Sequence, residues 1–450
     1  MAIPSAAKEF TVLADFTGPN GSYPLSTLVQ GPDGNLYGTT FQGGASAGTI
    51  FKISVGGTLT TLYSFAGPDG ISPAAGLILA TDGNFYGTTE YGGANGRGTV
   101  FKFTPTGTLT ILYSFCAQAN CTDGSNPNRT LVQGRDGNFY GTTWAGGAHG
   151  GVNGNGIAGT VFKITPTGAL TTLYSFCAQV LCTDGDAPSA LVQASNGSFY
   201  GTTLFGGANG QNQNNAGVVF KITPAGTETT LYNFCSPPNA TDGCGPSALI
   251  QAADGHLYGT TKTGGTNFYS GTVFKITLSG NLTTFNTQPP APQAGLVQAT
   301  DGNFYGTGYQ SEFKMTPSGT LTVLHLNSRA NGRPNYEALL QATDGNFYGA
   351  ASQGGLTQPF DGTVFKLALG LHPFVQTVPT ASKVGQTIQI LGQGLTGTTG
   401  VFFNGSSASY TVVSDTYLKA SVPNGATSGF VTVATPGGTL TSNKKFVILP

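Results

Sequence analysis

The feature that most constrains this chain is a short motif that recurs seven times. It reads DGN(F/L)YGTT, with a variant NGSFYGTT in the fourth copy, and the copies begin at Asp33, Asp82, Asp136, Asn196, Asp254, Asp301 and Asp344. Successive copies lie 43 to 60 residues apart, a spacing typical of the blades of a β-propeller. The last two copies diverge to YGTG and YGAA.

Each copy contains four strand-like pieces, A to D, which in the second copy are AGLILA, NFYGTT, GTVFKF and TLTILYSF. Asp-Gly-Asn and Pro-Thr-Gly turns join A to B and C to D, with Gly or Asn where a positive φ is needed. Strand C occurs seven times, but strand D follows only the first six copies. The D-like segment EFTVLADF, from Glu9 to Phe16, can complete the seventh blade. We therefore predict an all-β fold with a seven-bladed propeller over residues 8–368, closed by the N-terminal strand.

Composition agrees with a globular β protein and argues against some partners. Glycine accounts for 70 of 450 residues, charged residues make up 8 %, and aromatic residues make up 11 %. The formal net charge of −1 offers no electrostatic attraction for nucleic acid or anionic membranes. No apolar run approaches the roughly 18 residues of a membrane helix, so we predict no membrane insertion.

The six cysteines fall into three local pairs: Cys116/Cys121, Cys177/Cys182 and Cys235/Cys244. Short-range pairs in loops favour disulfides of an exported protein. Metal thiolates are the alternative, but two cysteines per loop without suitably spaced histidines make a poor zinc site. The start, Met1-Ala2-Ile3-Pro4, lacks a signal-peptide pattern. We therefore expect a signal peptide to have been removed from an extracellular or cell-surface protein.

The composition changes near His372, where the motif stops. The segments VGQTIQILGQGL (Val384 to Leu395), VFFNG (Val401 to Gly405), VVSDT (Val412 to Thr416) and SVPNGATSGFVTV (Ser421 to Val433) resemble an IPT/TIG immunoglobulin-like domain. The resemblance covers residues 371–450. It implies a β-sandwich that serves as a spacer or binding accessory.

The pattern YGTT…GG…GTVFKITP.G.LTTLYSF resembles the extracellular bacterial tandem repeats called GloVer, over residues 8–368. That resemblance implies a propeller in an exported protein with no assigned activity. GPDGNLYGTT (Gly31 to Thr40) is more loosely similar to the repeat of streptogramin lyase, which needs a histidine, carboxylates and magnesium. The histidines here (His149, His256, His325 and His372) share no blade position, so that activity is not expected.

Tyrosine and lysine recur once in every copy. Because they are present in every blade, we interpret both as parts of the framework, with tyrosine packed between sheets and lysine extended to solvent. The tyrosines are Tyr37, Tyr86, Tyr140, Tyr200, Tyr258, Tyr305 and Tyr348, and the lysines are Lys52, Lys102, Lys163, Lys221, Lys275, Lys314 and Lys366.

Two regions of the repeat vary widely among the copies. The residue after YGTT is Phe41, Glu90, Trp144, Leu204, Lys262, Tyr309 or Ser352, and the next residue is Gln42, Tyr91, Ala145, Phe205, Thr263, Gln310 or Gln353. The residue where strand A begins is Ser26, Ala75, Arg129, Ser189, Ser247, Ala294 or Glu337. Both regions belong to the face that carries the D–A and B–C loops, which we predict to hold any ligand site. Neutral drift at exposed strand ends is the alternative.

The aromatic residues of this face favour a carbohydrate ligand. Sugars stack on aromatic rings and need neutral hydrogen-bonding groups. The predicted rim is Phe41, Tyr91, Trp144, Phe205 and Tyr309, and the amide-rich loops contain Asn153, Asn155, Gln211, Asn212, Gln213, Asn214 and Asn215. Packing of the loops against one another is the alternative.

Two catalytic hypotheses follow from the same face. Glu90 and Glu337 are candidate catalytic carboxylates, with Arg129 or Lys262 to orient them and His149 as the base in a lyase. We predict no cofactor. Calcium is the alternative, because Asp-Gly steps are frequent, although none matches a calcium loop.

From these features we predict an exported bacterial protein that binds a polysaccharide or cell-surface glycan through the loop face. A polysaccharide lyase or hydrolase is the second hypothesis. A self-associating subunit of a filament or surface layer is the third.

Overall fold

The computed structural model describes residues 9–150, 157–210, 216–266, 271–286, 292, 294–308, 311–328, 332, 338–355 and 361–450. Strand β1 spans Glu9–Asp15. The first sheet contains β2 (Val29–Gln30), β3 (Leu36–Thr40), β4 (Thr49–Ile53) and β5 (Leu59–Ser64). The second contains β6 (Ile78–Leu79), β7 (Phe85–Thr89), β8 (Thr99–Phe103) and β9 (Leu109–Ser114). The third contains β10 (Val132–Gln133), β11 (Phe139–Thr143), β12 (Thr160–Ile164) and β13 (Leu170–Ser175).

The next two sheets each gain an additional short strand. The fourth contains β14 (Asp186–Pro188), β15 (Val192–Gln193), β16 (Phe199–Phe205), β17 (Val218–Ile222) and β18 (Glu228–Asn233). The fifth contains β19 (Cys244–Pro246), β20 (Ile250–Gln251), β21 (Leu257–Thr263), β22 (Thr272–Ile276) and β23 (Leu282–Asn286). Two single-turn 3₁₀ helices occur in the loops before the third and fourth sheets, at Ala119–Cys121 and Val180–Cys182.

The sixth sheet contains β24 (Val297–Gln298), β25 (Phe304–Gly308), β26 (Ser311–Met315) and β27 (Leu321–Leu326). The seventh contains β28 (Leu340–Gln341), β29 (Phe347–Ala351) and β30 (Thr363–Ala368), and its fourth strand is β1. Strand β1 is antiparallel to β30, with Phe10 opposite Leu367 and Val12 opposite Phe365. The N-terminal strand therefore completes the seventh sheet, as the strand count predicts.

Seven antiparallel sheets in the described part of the chain thus resemble propeller blades. Inside each sheet, glycine of the YGTT motif lies opposite the phenylalanine of strand C, as Gly38 does opposite Phe51. A Cβ atom at Gly38 would lie 2.6 Å from the Phe51 ring. The glycine is therefore required because the aromatic ring occupies the space over the strand.

Aromatic and aliphatic side chains join each sheet to the next. Tyr37 of the first sheet packs on Phe85 of the second with ring centroids 4.3 Å apart, and Tyr86 packs on Phe139 of the third at 4.0 Å. Buried clusters link every successive pair of sheets. A further cluster contains Tyr348 of the seventh sheet and Phe51 of the first. The packing is therefore continuous from the seventh sheet back to the first.

In five of the copies the repeated tyrosine and lysine share a partner, the aspartate that opens the motif. In the second sheet, the Tyr86 hydroxyl donates to Asp82 Oδ2 at 2.8 Å, and Lys102 Nζ lies 2.9 Å from the same oxygen. Corresponding ion pairs join Lys52–Asp33, Lys163–Asp136, Lys275–Asp254 and Lys314–Asp301. The framework interpretation is confirmed at these positions. The lysine also pairs with a carboxylate, a contact that the sequence interpretation did not include.

Residues 371–450 form a separate pair of sheets. The strands are β31 (Gln376–Val378), β32 (Ala381–Lys383), β33 (Thr387–Leu391), β34 (Gly400–Phe403), β35 (Ser406–Ser407), β36 (Tyr410–Ser414), β37 (Tyr417–Ser421), β38 (Val431–Thr435), β39 (Gly438–Thr441) and β40 (Val447–Leu449). One sheet has the order β31-β33-β37-β36 and the other β35-β34-β38-β39, while β32 pairs with β40. Ile390 and Leu418 of one sheet share a buried core with Val401 and Val433 of the other. We call this unit the C-terminal module.

The C-terminal module packs against the turns of the first two blade-like sheets, where the repeat departs from its own pattern. In other sheets a glutamine of strand A accepts a hydrogen bond from the turn of the preceding sheet, as Gln133 Oε1 does from the Thr81 amide at 3.0 Å. The second sheet has Leu79 in place of this glutamine, and the first has Pro32 in place of the amide donor.

The module packs on the apolar site that forms where Leu79 and Pro32 depart from the repeat pattern. Val378 and Leu391 belong to the same buried cluster as Leu79. Gln389 Nε2 donates to the Thr81 carbonyl at 2.9 Å, and Thr416 Oγ1 donates to the Pro32 carbonyl at 2.8 Å. The departures from the repeat pattern at Leu79 and Pro32 therefore mark the place where the module docks.

Candidate functional site

The two variable regions of the repeat converge on one cavity of about 440 Å³. Its walls include four residues that follow the YGTT motif: Phe41, Glu90, Leu204 and Lys262. They also include five residues from the start of strand A: Ala75, Arg129, Ser189, Ser247 and Ala294. Because Ala338, just before β28, also lines it, the cavity collects residues from all seven repeats.

Buried threonines hold the start of strand A in place. The first threonine of YGTT donates to the carbonyl group of the variable residue in the next sheet. Thr39 Oγ1 lies 3.0 Å from the Ala75 carbonyl oxygen, and Thr142 Oγ1 lies 3.0 Å from that of Ser189. Thr260 makes the same bond to Ala294 at 2.9 Å. The framework thus fixes the backbone of the wall while its side chains vary.

Glu90 is the carboxylate of the described cavity wall. Burial raises the pKa of Glu90 above its ordinary value, although hydrogen bonds with Tyr91 and Asn128 and the charge of Arg129 oppose this shift. The Glu90 backbone carbonyl accepts a hydrogen bond from Asn126 Nδ2 at 3.1 Å. Glu90 is therefore a partly desolvated acid with neighbours that can stabilise its charge.

Arg129 and Lys262 supply two positive charges to the same cavity. Burial and, as a smaller effect, the charge of Arg129 lower the pKa of Lys262 to about 8. Burial also lowers the pKa of Arg129, and Glu90 opposes that shift. The Arg129 Nε atom and the Asn128 Oδ1 atom are both buried without a hydrogen-bond partner. The wall thus retains an unused donor next to an unused acceptor.

Aromatic side chains lie beside this charged group. The Arg129 guanidinium lies 6.0 Å from the Trp144 ring centroid, and Trp144 meets the Phe205 ring edge-on at 5.9 Å. Tyr91 is 42 % exposed, and Phe41 lines the cavity. Sugar rings stack on half-exposed aromatic surfaces of this kind, and a cation over an aromatic face is stabilising.

The profile of the Gloeobacter/Verrucomicrobia repeat matches residues 2–210, 148–312 and 188–416. The chain belongs to the Gloeobacter/Verrucomicrobia repeat family. The matches together extend over more than nine-tenths of the sequence. They agree with the resemblance to GloVer tandem repeats. No curated protein matches the sequence.

Two solved structures place the fold of this Gloeobacter/Verrucomicrobia repeat protein among β-propellers. Streptogramin B lyase superposes with a TM-score of 0.55 at 18 % identity, covering 81 % of this chain and 98 % of the lyase. The extracellular domain of a protein described as a hybrid two-component system from B. thetaiotaomicron has a TM-score of 0.52 at 11 % identity. That superposition covers 99 % of this chain and 60 % of the other. At these identities the likeness concerns the fold alone.

Some predicted site residues of this repeat protein fall outside the residues that the structure describes, and one lies away from the cavity. Tyr309, Glu337 and the amide-rich loop positions Asn153, Asn155, Gln211, Asn212, Gln213, Asn214 and Asn215 fall outside them. His149 is exposed and is not part of the cavity wall described above. The structure therefore brings Glu90, Arg129 and Lys262 together, without His149.

Asn128 is a wall residue that the sequence interpretation missed. Its repeat position is Leu25 in the first sheet, Ala74 in the second and Pro246 in the fifth, and all of these line the cavity. Variation at this position was visible in the aligned repeats. Because it directly precedes the variable residue of strand A, it could have been included as a further variable position.

The three predicted disulfides are formed, between Cys116 and Cys121, Cys177 and Cys182, and Cys235 and Cys244. Among the described residues, one cluster of possible metal ligands occurs, Cys177, Cys182 and Asp186. Its two sulfurs are joined to each other, so neither is a thiolate ligand. No helix in the described part of the chain is long and apolar enough to cross a membrane.

The Asp-Gly steps proposed as calcium ligands serve the D–A loops. Asp123 accepts the Tyr113 hydroxyl at 2.8 Å and the Ala117 amide at 3.0 Å. Asp184 repeats both contacts with Tyr174 and Ala178 in the next sheet. These carboxylates therefore fasten each disulfide loop to the strand before it.

Proposed function

We propose that this protein is an extracellular propeller that binds polysaccharide at the cavity on its loop face. One observation carries the proposal: the most variable positions of an otherwise uniform repeat converge on a cavity lined by aromatic, amide and charged groups. A cavity of about 440 Å³ falls within the usual size of small-molecule sites. It suits one or two sugar units of a longer chain.

In this proposal the seven sheets are the blades of a closed ring over residues 8–368. The C-terminal module, residues 371–450, is an IPT/TIG immunoglobulin-like domain that acts as an accessory. Two packed antiparallel sheets of about eighty residues support that assignment. The three disulfides support an exported setting, because such bonds persist in oxidising compartments.

Retention on immobilised polysaccharides tests the proposed function. The wild type should be retained on at least one polymer of a panel, and Trp144→Ala combined with Tyr91→Ala should reduce retention at least about tenfold, because stacking surface is lost. Phe430→Ala is the matched control, since Phe430 is 40 % exposed on the C-terminal module. Unchanged retention of the double variant would show that the site is elsewhere. Absence of retention on any polymer would reject polysaccharide binding.

The second candidate function is cleavage of the bound polysaccharide. Burial raises the pKa of Glu90 and lowers that of Lys262 to about 8, so one wall carries an acid and a base shifted towards neutrality. The same wells should be assayed for released oligosaccharide. Release that is lost in Glu90→Gln favours the enzyme, and an unsaturated product end would indicate a lyase rather than a hydrolase. Retention without release favours a binding protein.

A further inference from the structure

Arg129 is the feature of the cavity that the binding of a neutral sugar leaves unexplained. At the start of strand A, the other wall residues are Ala75, Ser189, Ser247 and Ala294, all small and uncharged. A guanidinium in the interior costs free energy unless its donors are paired. Yet among the residues that the structure describes, Arg129 Nε is buried without a hydrogen-bond partner. Within this part of the chain, the arginine therefore has a donor that a ligand can satisfy.

The described wall of the cavity carries more positive than negative side chains. Arg129 and Lys262 are cationic, while Glu90 is the carboxylate near them. Glu90 already engages Tyr91 and Asn128 through hydrogen bonds. Arg129 and Lys262 also repel each other, as the lowered pKa of Lys262 reflects. An anion placed between the two cations would relieve this repulsion, and the effect is strong because the site is partly desolvated.

The unpaired acceptor of Asn128, the residue before Arg129, further restricts the chemical class of the ligand. Asn128 Oδ1 is buried and unpaired, so it needs a hydroxyl or amine donor. Chloride, sulfate and acetate offer no such donor. A sugar acid offers both groups, a carboxylate for arginine and ring hydroxyls for the amide. Its ring could also pack against Trp144, which already lies 6.0 Å from Arg129.

We propose that the cavity recognises a uronic acid unit. Arg129 and Lys262 bind the carboxylate of the sugar, and one of its ring hydroxyls donates a hydrogen bond to Asn128 Oδ1. Arginine suits this role because its planar fork pairs with both carboxylate oxygens. The inference rests on the proposed polysaccharide binding and specifies the class of sugar. It assigns Arg129 as the residue that sets specificity.

The test compares polygalacturonate with its fully methyl-esterified form, in which a methyl ester removes the charge of each carboxyl group. Wild-type protein should bind the acid form about 10- to 100-fold more tightly at low salt, as expected for charged hydrogen bonds. Arg129→Gln should abolish this preference, and Lys262→Met should reduce it. Dextran sulfate is included to separate carboxylates from other anions.

Arg135→Gln is the matched control. Arg135 donates to the Ala194 and Ser195 carbonyl groups outside the cavity wall described above, so the preference for the acid form should persist. Melting temperatures establish that each variant is folded. If Arg129→Gln does not fold, the wild type is measured from pH 6 to pH 9.5. The preference should weaken above about pH 8 as Lys262 loses its proton, while Arg129 stays charged.

The outcomes separate the two proposals. Equal binding of acid and ester forms would overturn the uronate assignment and leave polysaccharide binding intact. Stronger binding of dextran sulfate than of polygalacturonate would also overturn it. Failure to bind any polysaccharide, neutral or acidic, would overturn both. A preference that survives in Arg129→Gln would place the recognition of the carboxylate elsewhere.

Discussion

Glu312 occupies a strand C position that is aliphatic in all the other sheets. The equivalents are Ile50, Val100, Val161, Val219, Val273 and Val364. Glu312 is fully buried, and its Oε1 atom accepts one hydrogen bond from Asn327 Nδ2 at 2.8 Å. Its Oε2 atom has no partner. Burial raises the pKa of this carboxyl to about 7, so the charged form is disfavoured in the folded protein.

Replacing Glu312 by valine should stabilise the protein, and more at high pH. The folded state holds the Glu312 proton up to about pH 7, whereas the unfolded chain releases it near pH 4.5. Stability therefore falls as pH rises between these values, and Glu312→Val removes that loss. We expect a gain of about 2–3 kcal/mol at pH 8 and a smaller gain at pH 5, measured by urea unfolding.

Val273→Glu is the complementary variant for this experiment. It places a carboxyl at the matching position of the fifth sheet, where Val273 is fully buried, and should lower stability with the same pH trend. An identical pH dependence of stability in Glu312→Val and the wild type would contradict the role assigned to Glu312.

At the residue scale, the sequence predicted which positions vary but not how their charges combine. Comparing the seven copies singled out Glu90, Arg129 and Lys262, which lie on one wall. The unpaired Nε of Arg129 and the partner of Glu312 could not be predicted. Both depend on side-chain rotamers and on neighbours from other sheets, which a pattern along the chain does not encode.

At the scale of the strand, β1 is the element on which closure of the seventh sheet depends. Its Phe10 ring stacks on Phe365 with centroids 4.9 Å apart and on His325 of the sixth sheet at 3.9 Å. Phe16, just after the strand, is fully buried between the first and seventh sheets. Strand β1 therefore contacts three sheets with one short segment.

Deleting residues 1–16 should open the ring. The exposed edge of β30 and the lost burial of two phenylalanines should lower the melting temperature by 10 °C or more, or cause aggregation. Adding a synthetic peptide of residues 9–16 should restore part of the lost stability, and a scrambled peptide of the same composition should not. Full stability of the deleted protein would show that β1 is dispensable.

The order of strands in each sheet was predictable because the repeat supplies the same register seven times. The short strands β14 and β19 were not predicted. They pair with the ends of β16 and β21, which are two residues longer than the corresponding strands of the first three sheets. Each contains proline and is only three residues long, so it lacks the alternation that identifies a strand in sequence.

At the scale of the whole molecule, docking of the C-terminal module depends on one apolar site. Leu79→Gln places an amide among Val378, Leu391 and Tyr417, while Pro32 supplies no amide hydrogen to pair with it. The unpaired group should cost about 1–3 kcal/mol of docking free energy. We expect faster proteolysis between residues 368 and 374 and a larger radius of gyration.

Gln251→Leu serves as the control for this change. It removes the equivalent hydrogen bond from the Ser195 amide at a strand A position of the fifth sheet, far from the Thr81 and Pro32 carbonyl groups that the module contacts. It should therefore destabilise the ring without releasing the module. Proteolysis and scattering profiles of Leu79→Gln that match the wild type would show that docking does not depend on this site.

The two-part organisation was predictable from the end of the motif and the change of composition, but the docking was not. Leu79 and Pro32 were visible as exceptions to the repeat. The repeat pattern does not predict which part of the chain covers Leu79, because the strands of the C-terminal module that cover it lie more than 290 residues away in sequence.

The pairing of β1 with β30 also has a consequence for the order of events during synthesis. A chain that emerges from its N-terminus produces β1 more than 340 residues before its partner β30. Until then β1 has an unsatisfied edge that can pair with other chains. Contacts between such distant segments form slowly. Pairing of β1 with β30 is therefore a late step, and the edge of β1 stays exposed until β30 has been made.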